Sequence, residues 1–183
     1  MKILAFAASN SRQSINGKLV RYALRRVEAL VPNAETKVLD LNDYEMPIYS
    51  IDRETEDGIP AKAQRFYDEL GAVDAILISF AEHNGAYTAA YKNIFDWVSR
   101  IDMKVFRGKP VLAFSTSPGP RGGATVMGTF TNAAAIFGAE LIGSLSIGSF
   151  GDRFDSESGL PTDSDLAQQI EDTLAALSGK QHF

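Results

Sequence analysis

Residues 75–88 read AILISF-AEHNGAYT, and this stretch decides the fold. Ala75 to Phe80 form an apolar run with no polar alternation. Such a run is a strand buried on both faces, which is the habit of a central parallel strand. A polar loop, 81–88, follows it, and then helix-like spacing from about 88 to 100. Working outward, the same unit recurs. Ile3 to Ala8 is a buried strand, followed by the polar loop 8–16 (ASNSRQSIN). Ile15, Leu19, Val20, Ala23, Leu24, Val27, Leu30 and Val31 then recur at spacings of 3 and 4, a helix that Pro32-Asn33 stops. Residues 36–41 (TKVLDL) alternate as a second strand, a long polar loop covers 42–58, and a helix spans 60–71. Val111 to Phe114 form a fourth strand, left through the Pro- and Gly-rich loop STSPGPRGG (115–123). A helix over 124–138, a strand over 140–148 and a closing helix over 163–178 complete the chain. Five strands alternating with helices define an α/β protein with a doubly wound parallel sheet.

The bulk composition narrows the function. At 183 residues the chain is expected to be one domain, 1–183, with a sizeable core. A net charge of −5 and the absence of a basic run argue against nucleic acid as a partner. There is no cysteine, so disulfides, thiol nucleophiles and cysteine metal sites are excluded. With His83 and His182 as the two histidines, zinc sites built on several histidines are excluded as well. No metal site is expected; Asp152, Asp155 and Glu157 do not have calcium-loop spacing and read as a solvated loop. The opening MKILAFAAS is too short for a signal-peptide core, and nothing approaches membrane-spanning length. The expectation is a cytoplasmic protein without a membrane partner.

In doubly wound sheets, ligands bind beyond the carboxyl ends of the strands. Three loops with unusual chemistry leave those ends: 8–16, 81–88 and 115–123. The first enters a helix N-terminus, where free N–H groups and the positive end of the dipole favour an anion. Ser9, Ser11, Ser14 and Asn16 can each donate to phosphate oxygen, and Arg12 adds a charged contact that suits a dianionic monoester. The plain alternative for Ser14 is a helix cap. Neither G-x-G-x-x-G nor a Walker A pattern is present, which argues against a Rossmann dinucleotide site and a P-loop nucleotidase. In the second loop Gly85 permits an unusual backbone angle and Asn84 can reach a heterocycle edge. In the third, three glycines and two prolines would let backbone meet a ligand closely. A simple turn explains each loop alone; three at one sheet end favour a shared site.

The ordered motifs resemble the NADPH-dependent FMN reductase family, in its quinone-, azo- and chromate-reducing branch. Its phosphate loop, roughly G-S-x-R-x-x-S-x-N, corresponds to residues 8–16, with Ala8 for Gly and Arg12 shifted by one. Its P-x-Y-N segment with a following K-N-x-x-D-W corresponds to residues 81–97. Asn84, Gly85, Lys92, Asn93, Asp96 and Trp97 match, Ala81 replaces Pro and His83 replaces Tyr. Its S-P-G-x-x-G-G loop corresponds to residues 117–123, and Met46-Pro47-Ile48-Tyr49 resembles its P-x-Y loop. The resemblance implies a flavodoxin-like five-stranded sheet of order 2-1-3-4-5 with helices on both faces. It implies FMN as cofactor and NADPH (or NADH) as co-substrate. Ser9, Arg12, Ser14 and Asn16 would hold its phosphate, with Ser11 and Ile15 also among the cofactor-binding residues. Glu82, His83, Asn84 and Gly85 would line the isoalloxazine ring, with Ser117 and Gly119 on its other side. Arg121 is the candidate contact for a nicotinamide 2′-phosphate.

The function so implied is an enzyme that passes hydride from nicotinamide to FMN N5 and then to a small acceptor: a quinone, azo compound, free flavin or metal oxyanion. The alternatives are a flavodoxin-type electron carrier and a flavin-binding protein without turnover. No side chain is assigned as catalytic, because the cofactor carries the chemistry. His83 in a ligand loop reads more simply as a packing or hydrogen-bonding group than as a proton donor. A homodimer or homotetramer is expected, and exposed aromatics among Tyr87, Tyr91, Phe95 and Trp97 would support it. Arg100 would cap helix carbonyls or reach a second subunit.

Overall fold

The computed structural model describes residues 1–155 and 157–180; His182 lies outside them. In chain order the elements are β1 (Lys2–Ala8), α1 (Ile15–Leu30), β2 (Glu35–Leu39), α2 (Ile51–Asp57), α3 (Ala61–Gly71) and β3 (Ala75–Phe80). Then follow β4 (Glu82–His83), β5 (Ala86–Tyr87), α4 (Ala89–Ile101), β6 (Pro110–Thr116), α5 (Ala124–Ala133), β7 (Glu140–Ile147), α6 (Phe150–Arg153) and α7 (Ser164–Ala175). Five strands form one parallel sheet of order β2-β1-β3-β6-β7. Counted along the chain, this is the expected 2-1-3-4-5. All six residues of β3 are buried, as its unbroken apolar run requires.

The period-2 alternation of the strands divides the core in two. Leu4, Phe6, Ile76, Ile78 and Phe80 face one side, together with apolar residues of α3, α4 and α5. Ile3, Ala5, Ala75, Leu77, Leu112 and Phe114 face the other, together with α1 and α7. Each side is a continuous apolar layer, so the sheet has no solvated face in its middle.

Three differences from the sequence reading have a local physical cause. The second strand ends at Leu39, not Leu41, because Asp40 turns the chain: its carboxylate accepts the Asn42 N–H at 2.9 Å and caps a 3₁₀ turn over Leu41–Tyr44. The polar loop 42–58 contains α2, which Ser50 caps by accepting the Arg53 N–H. None of the α2 residues is buried, so no apolar period announced it. The helix expected to reach 138 ends at Ala133 and closes through turns to Gly138, which has φ 74°.

The Met46–Tyr49 segment is pinned to α4. Asn93 accepts the Tyr49 N–H at 2.9 Å and donates to the Met46 and Pro47 carbonyls at 3.1 Å each. Trp97 Nε1 donates to the Pro47 carbonyl at 2.7 Å. The Asn and Trp of K-N-x-x-D-W therefore hold a loop, while Lys92 and Asp96 pair along the helix at 2.6 Å. Tyr91 and Trp97 are buried, which removes them as exposed aromatics. Arg100 is not seen capping helix carbonyls; its Nε pairs with Glu54, whose carboxylate also accepts the Tyr49 hydroxyl at 3.0 Å.

Candidate functional site

The chain leaves β1 toward β2 on one side, and β3 leads to β6 on the other. The carboxyl ends of β1, β3 and β6 therefore flank the topological switch point, where a crevice is expected. A cleft of about 280 Å³ opens there, lined by all three loops. From the first loop come Ser9, Ser11, Ser14, Ile15 and Asn16; from the second, Ala81, Glu82 and His83; from the third, Ser117 and Pro118. Arg12 lines an adjoining crevice of about 190 Å³ between α1 and the end of β2, with Arg21 and Asp40. Ser9, Ser11 and Ser14 border both spaces, so they form the ridge between them.

The first loop is shaped by its own serines. Ser9 Oγ accepts the Ser11 N–H at 3.2 Å. Ser14 Oγ accepts the Gly17 N–H at 3.2 Å, so the plain capping reading holds for it. A hydroxyl that accepts still has a proton to donate. The N–H groups of Ile15 and Asn16, at the start of α1, have no partner among the described residues.

Asn16 departs from its expected place as a phosphate donor. It is buried, and its carboxamide is committed inside the protein. Its Oδ1 accepts from the Ser79 hydroxyl at 2.7 Å and from the Thr116 N–H at 3.1 Å. Its Nδ2 donates to the Thr116 carbonyl at 3.1 Å. One side chain thus ties the first turn of α1 to the ends of β3 and β6. The sequence reading missed Ser79, Thr88 and Thr116 as members of this framework. Thr88 donates to the Ala8 carbonyl at 2.9 Å and accepts the Tyr91 N–H. For Ser79 and Thr116 the signal was a hydroxyl at the end of a buried apolar run, which needs a partner there.

The second loop is a hairpin rather than an open loop. β4 and β5 pair antiparallel around Asn84 (φ 52°) and Gly85 (φ 75°), both in the left-handed region. Two successive positive φ values fit a type I′ turn, and Asn-Gly is its preferred sequence. Asn84 and Gly85 are exposed at its tip, and His83 is exposed beside them. Tyr87 fixes the base, its ring 5.6 Å from Phe80 and 5.2 Å from Tyr91. Burial pushes the Tyr87 hydroxyl up to about 12, so it stays protonated at neutral pH.

In the third loop the glycines serve different ends. A Cβ on Gly122 would fall 2.5 Å from the Ile147 carbonyl carbon, and one on Gly148 would fall 2.1 Å from the Pro120 oxygen. These two let the loop lie against the end of β7. Gly119 is exposed, with open space where a Cβ would be. Ser117 Oγ donates to the Gly119 carbonyl at 3.1 Å. Arg121 is exposed. Among the described residues no group of three His, Cys, Asp or Glu side chains converges to hold a metal ion. No described helix is long and apolar enough to cross a membrane.

A doubly wound sheet with an anion-ready loop at its switch point defines a mononucleotide-binding α/β protein. The model of the NADPH-dependent FMN reductase family matches residues 1–152, and the chain belongs to that family. A quinone reductase of Escherichia coli (strain K12) is 29% identical over 125 residues, an alignment covering 68% of this chain and 64% of that enzyme. The chain thus spans just under two thirds of the length of that relative. Among solved structures, FerB, a flavoenzyme NAD(P)H:(acceptor) oxidoreductase from Paracoccus denitrificans, has a TM-score of 0.72 at 23% identity, covering 97% of this chain and 95% of that one. An FMN-dependent NADH-azoreductase from Bacillus anthracis, in complex with FMN, has a TM-score of 0.71 at 13% identity, covering 97% and 100%. At these identities the two structures speak for the fold.

Proposed function

We propose that the chain is an NAD(P)H-dependent, FMN-containing oxidoreductase that reduces a small acceptor. The observation that carries this is the convergence of the three loops on one cleft at the switch point. The residues present fit FMN. At the α1 N-terminus, unpartnered N–H groups and three hydroxyls suit a phosphate dianion. Arg12, on the far side of the serine ridge, adds the positive charge that a dianion needs. Ala81, Glu82 and His83 of the second loop and Ser117 and Pro118 of the third offer two walls for a flat ring.

When bound, FMN supplies N5 as hydride acceptor and returns two electrons to a quinone, azo compound, free flavin or metal oxyanion. The chain's own task is to bind and orient. Ser9, Ser11, Ser14 and Arg12 hold the phosphate end. The Asn16 side chain positions that loop, leaving its backbone N–H for the phosphate. His83, Asn84 and Gly85 present their backbone to the ring side. No acid or base is assigned: Tyr87 holds its proton and is partly buried. Arg121 is the candidate contact for a 2′-phosphate on the incoming nicotinamide cofactor.

We place the protein in the cytoplasm, since a chain without cysteine suits a reducing compartment. We also expect a homodimer or homotetramer. Met103 and Ile136 are both more than half exposed, and Lys104 joins their segments by donating to the Ile136 carbonyl. Light scattering reads that state directly. The test of function is NADPH oxidation with a quinone, with and without added FMN. FMN-dependent turnover above the protein-free blank is expected, and a rate no higher than the blank would overturn the reading.

A further inference from the structure

We infer that Glu82 is a positioning residue: it supplies the missing N-terminal cap of α5 and so locks the β4–β5 hairpin to the wall opposite it. The consequence for flavin binding rests on the proposed function; the brace itself does not.

The argument starts at Gly123. This residue caps α5 with φ 76° and has no side chain to satisfy the first-turn N–H groups. A capping side chain ordinarily accepts from the second or third helical N–H. Here the third, Val126 N–H, is taken by Glu82 Oε2 at 2.9 Å, from a residue 44 positions upstream. A carboxylate at that end also meets the positive pole of the helix. The other two bonds of this turn are local: Ala124 N–H to the Arg121 carbonyl and Met127 N–H to the Gly123 carbonyl.

The hairpin needs such an anchor. Two residues per strand cannot hold themselves in water. Tyr87 fixes its base against Phe80 and Tyr91, on the sheet side. Its tip passes the first turn of α5, where a Cβ on Gly85 would come 3.8 Å from Thr125 Cγ2. Glu82 is the polar tie on that side. The loop 117–123 runs into the same helix start. One carboxylate therefore links the two loops that form the ring-side walls. The sequence reading placed Glu82 along the ring; it does border the cleft, and its Oε2 is in addition engaged by the helix cap.

The test uses the whole chain with E82A and E82Q. Glutamine keeps an oxygen for Val126 and loses the charge; alanine loses both. In the protein without flavin, Val126 amide exchange should quicken about tenfold in E82A and by less in E82Q, the response expected when a capping bond is removed. Affinity for FMN should fall about tenfold in E82A, while competition by inorganic phosphate stays within about twofold, because phosphate needs the α1 end alone. Unchanged Val126 exchange in E82A would overturn the brace. Equal weakening of FMN and phosphate would show a general loosening and overturn the ring-side assignment. A wild-type protein that binds no FMN would remove the ligand half, with Val126 exchange still deciding the brace.

Discussion

The α1 side and the hairpin side of the cleft are built differently. On the α1 side, neutral groups buried from water do the holding: Asn16 joins Ser79 and Thr116 across 63 and 100 positions of sequence. On the hairpin side, a partly exposed carboxylate meets a helix end, and a few aromatic contacts fix the base. Buried neutral networks are costly to break and indifferent to salt. Partly exposed charge-to-dipole contacts are weaker, screened by salt and locally separable. The α1 end of the cleft is therefore set with the fold itself, and the opposite wall can be adjusted without unfolding the sheet.

Breaking the α1 side should have the largest effect. N16A removes the partner of the Ser79 hydroxyl and of both Thr116 backbone groups. A loss of about 2–4 kcal/mol is expected from stranded buried polar groups, read as a lowered urea midpoint. Next is G148A, whose Cβ would sit 2.1 Å from the Pro120 oxygen. Pushing the third loop off β7 should cost about 1–3 kcal/mol by overpacking, seen as a fall in melting temperature. R12A sharpens the comparison from the ligand side. Arg12 is exposed and without a carboxylate partner among the described residues, so stability should hardly change. FMN affinity should fall about tenfold, with a shallower salt dependence, as a charged contact is lost.

The smallest effect lies away from both sides. Asp163 caps α7 by accepting the Leu166 N–H at 2.6 Å, which holds its carboxyl below the usual aspartate range, with Arg153 helping. A pKa depressed by folding gives stability that is present above the unfolded value, about 3.9, and lost as pH falls through the folded one. D163N should flatten that acid limb below about pH 4 and leave neutral stability nearly unchanged, since Asn also caps. Urea midpoints across that range check it.

How much of this was legible depends on what kind of signal each part left. The unbroken run 75–80 and the spacing of 15–31 carried the sheet and its first helix, because burial writes itself as periodicity. α2 left no such trace, since nothing in it is buried. Ser9, Ser11 and Ser14 were readable as a loop entering a helix, and they border the cleft. Asn16 looked the same on paper; its role depends on partners at 79 and 116 that no local pattern connects. The Asn84-Gly85 pair did announce a hairpin in its turn chemistry, but two-residue strands are too short to alternate visibly. Glu82 is the hardest case, because its partner is a backbone N–H, which has no letter in the sequence.

The most direct measurement loads the purified protein with FMN, removes the excess, excludes oxygen and adds NADPH while the flavin's visible absorbance is followed. The account predicts rapid bleaching, faster than for the same concentration of free FMN, because the cleft holds the flavin ready for hydride. A retained flavin that stays yellow would contradict it and leave a carrier or a binding protein. Failure to retain flavin at all would contradict the assignment of the three loops to FMN.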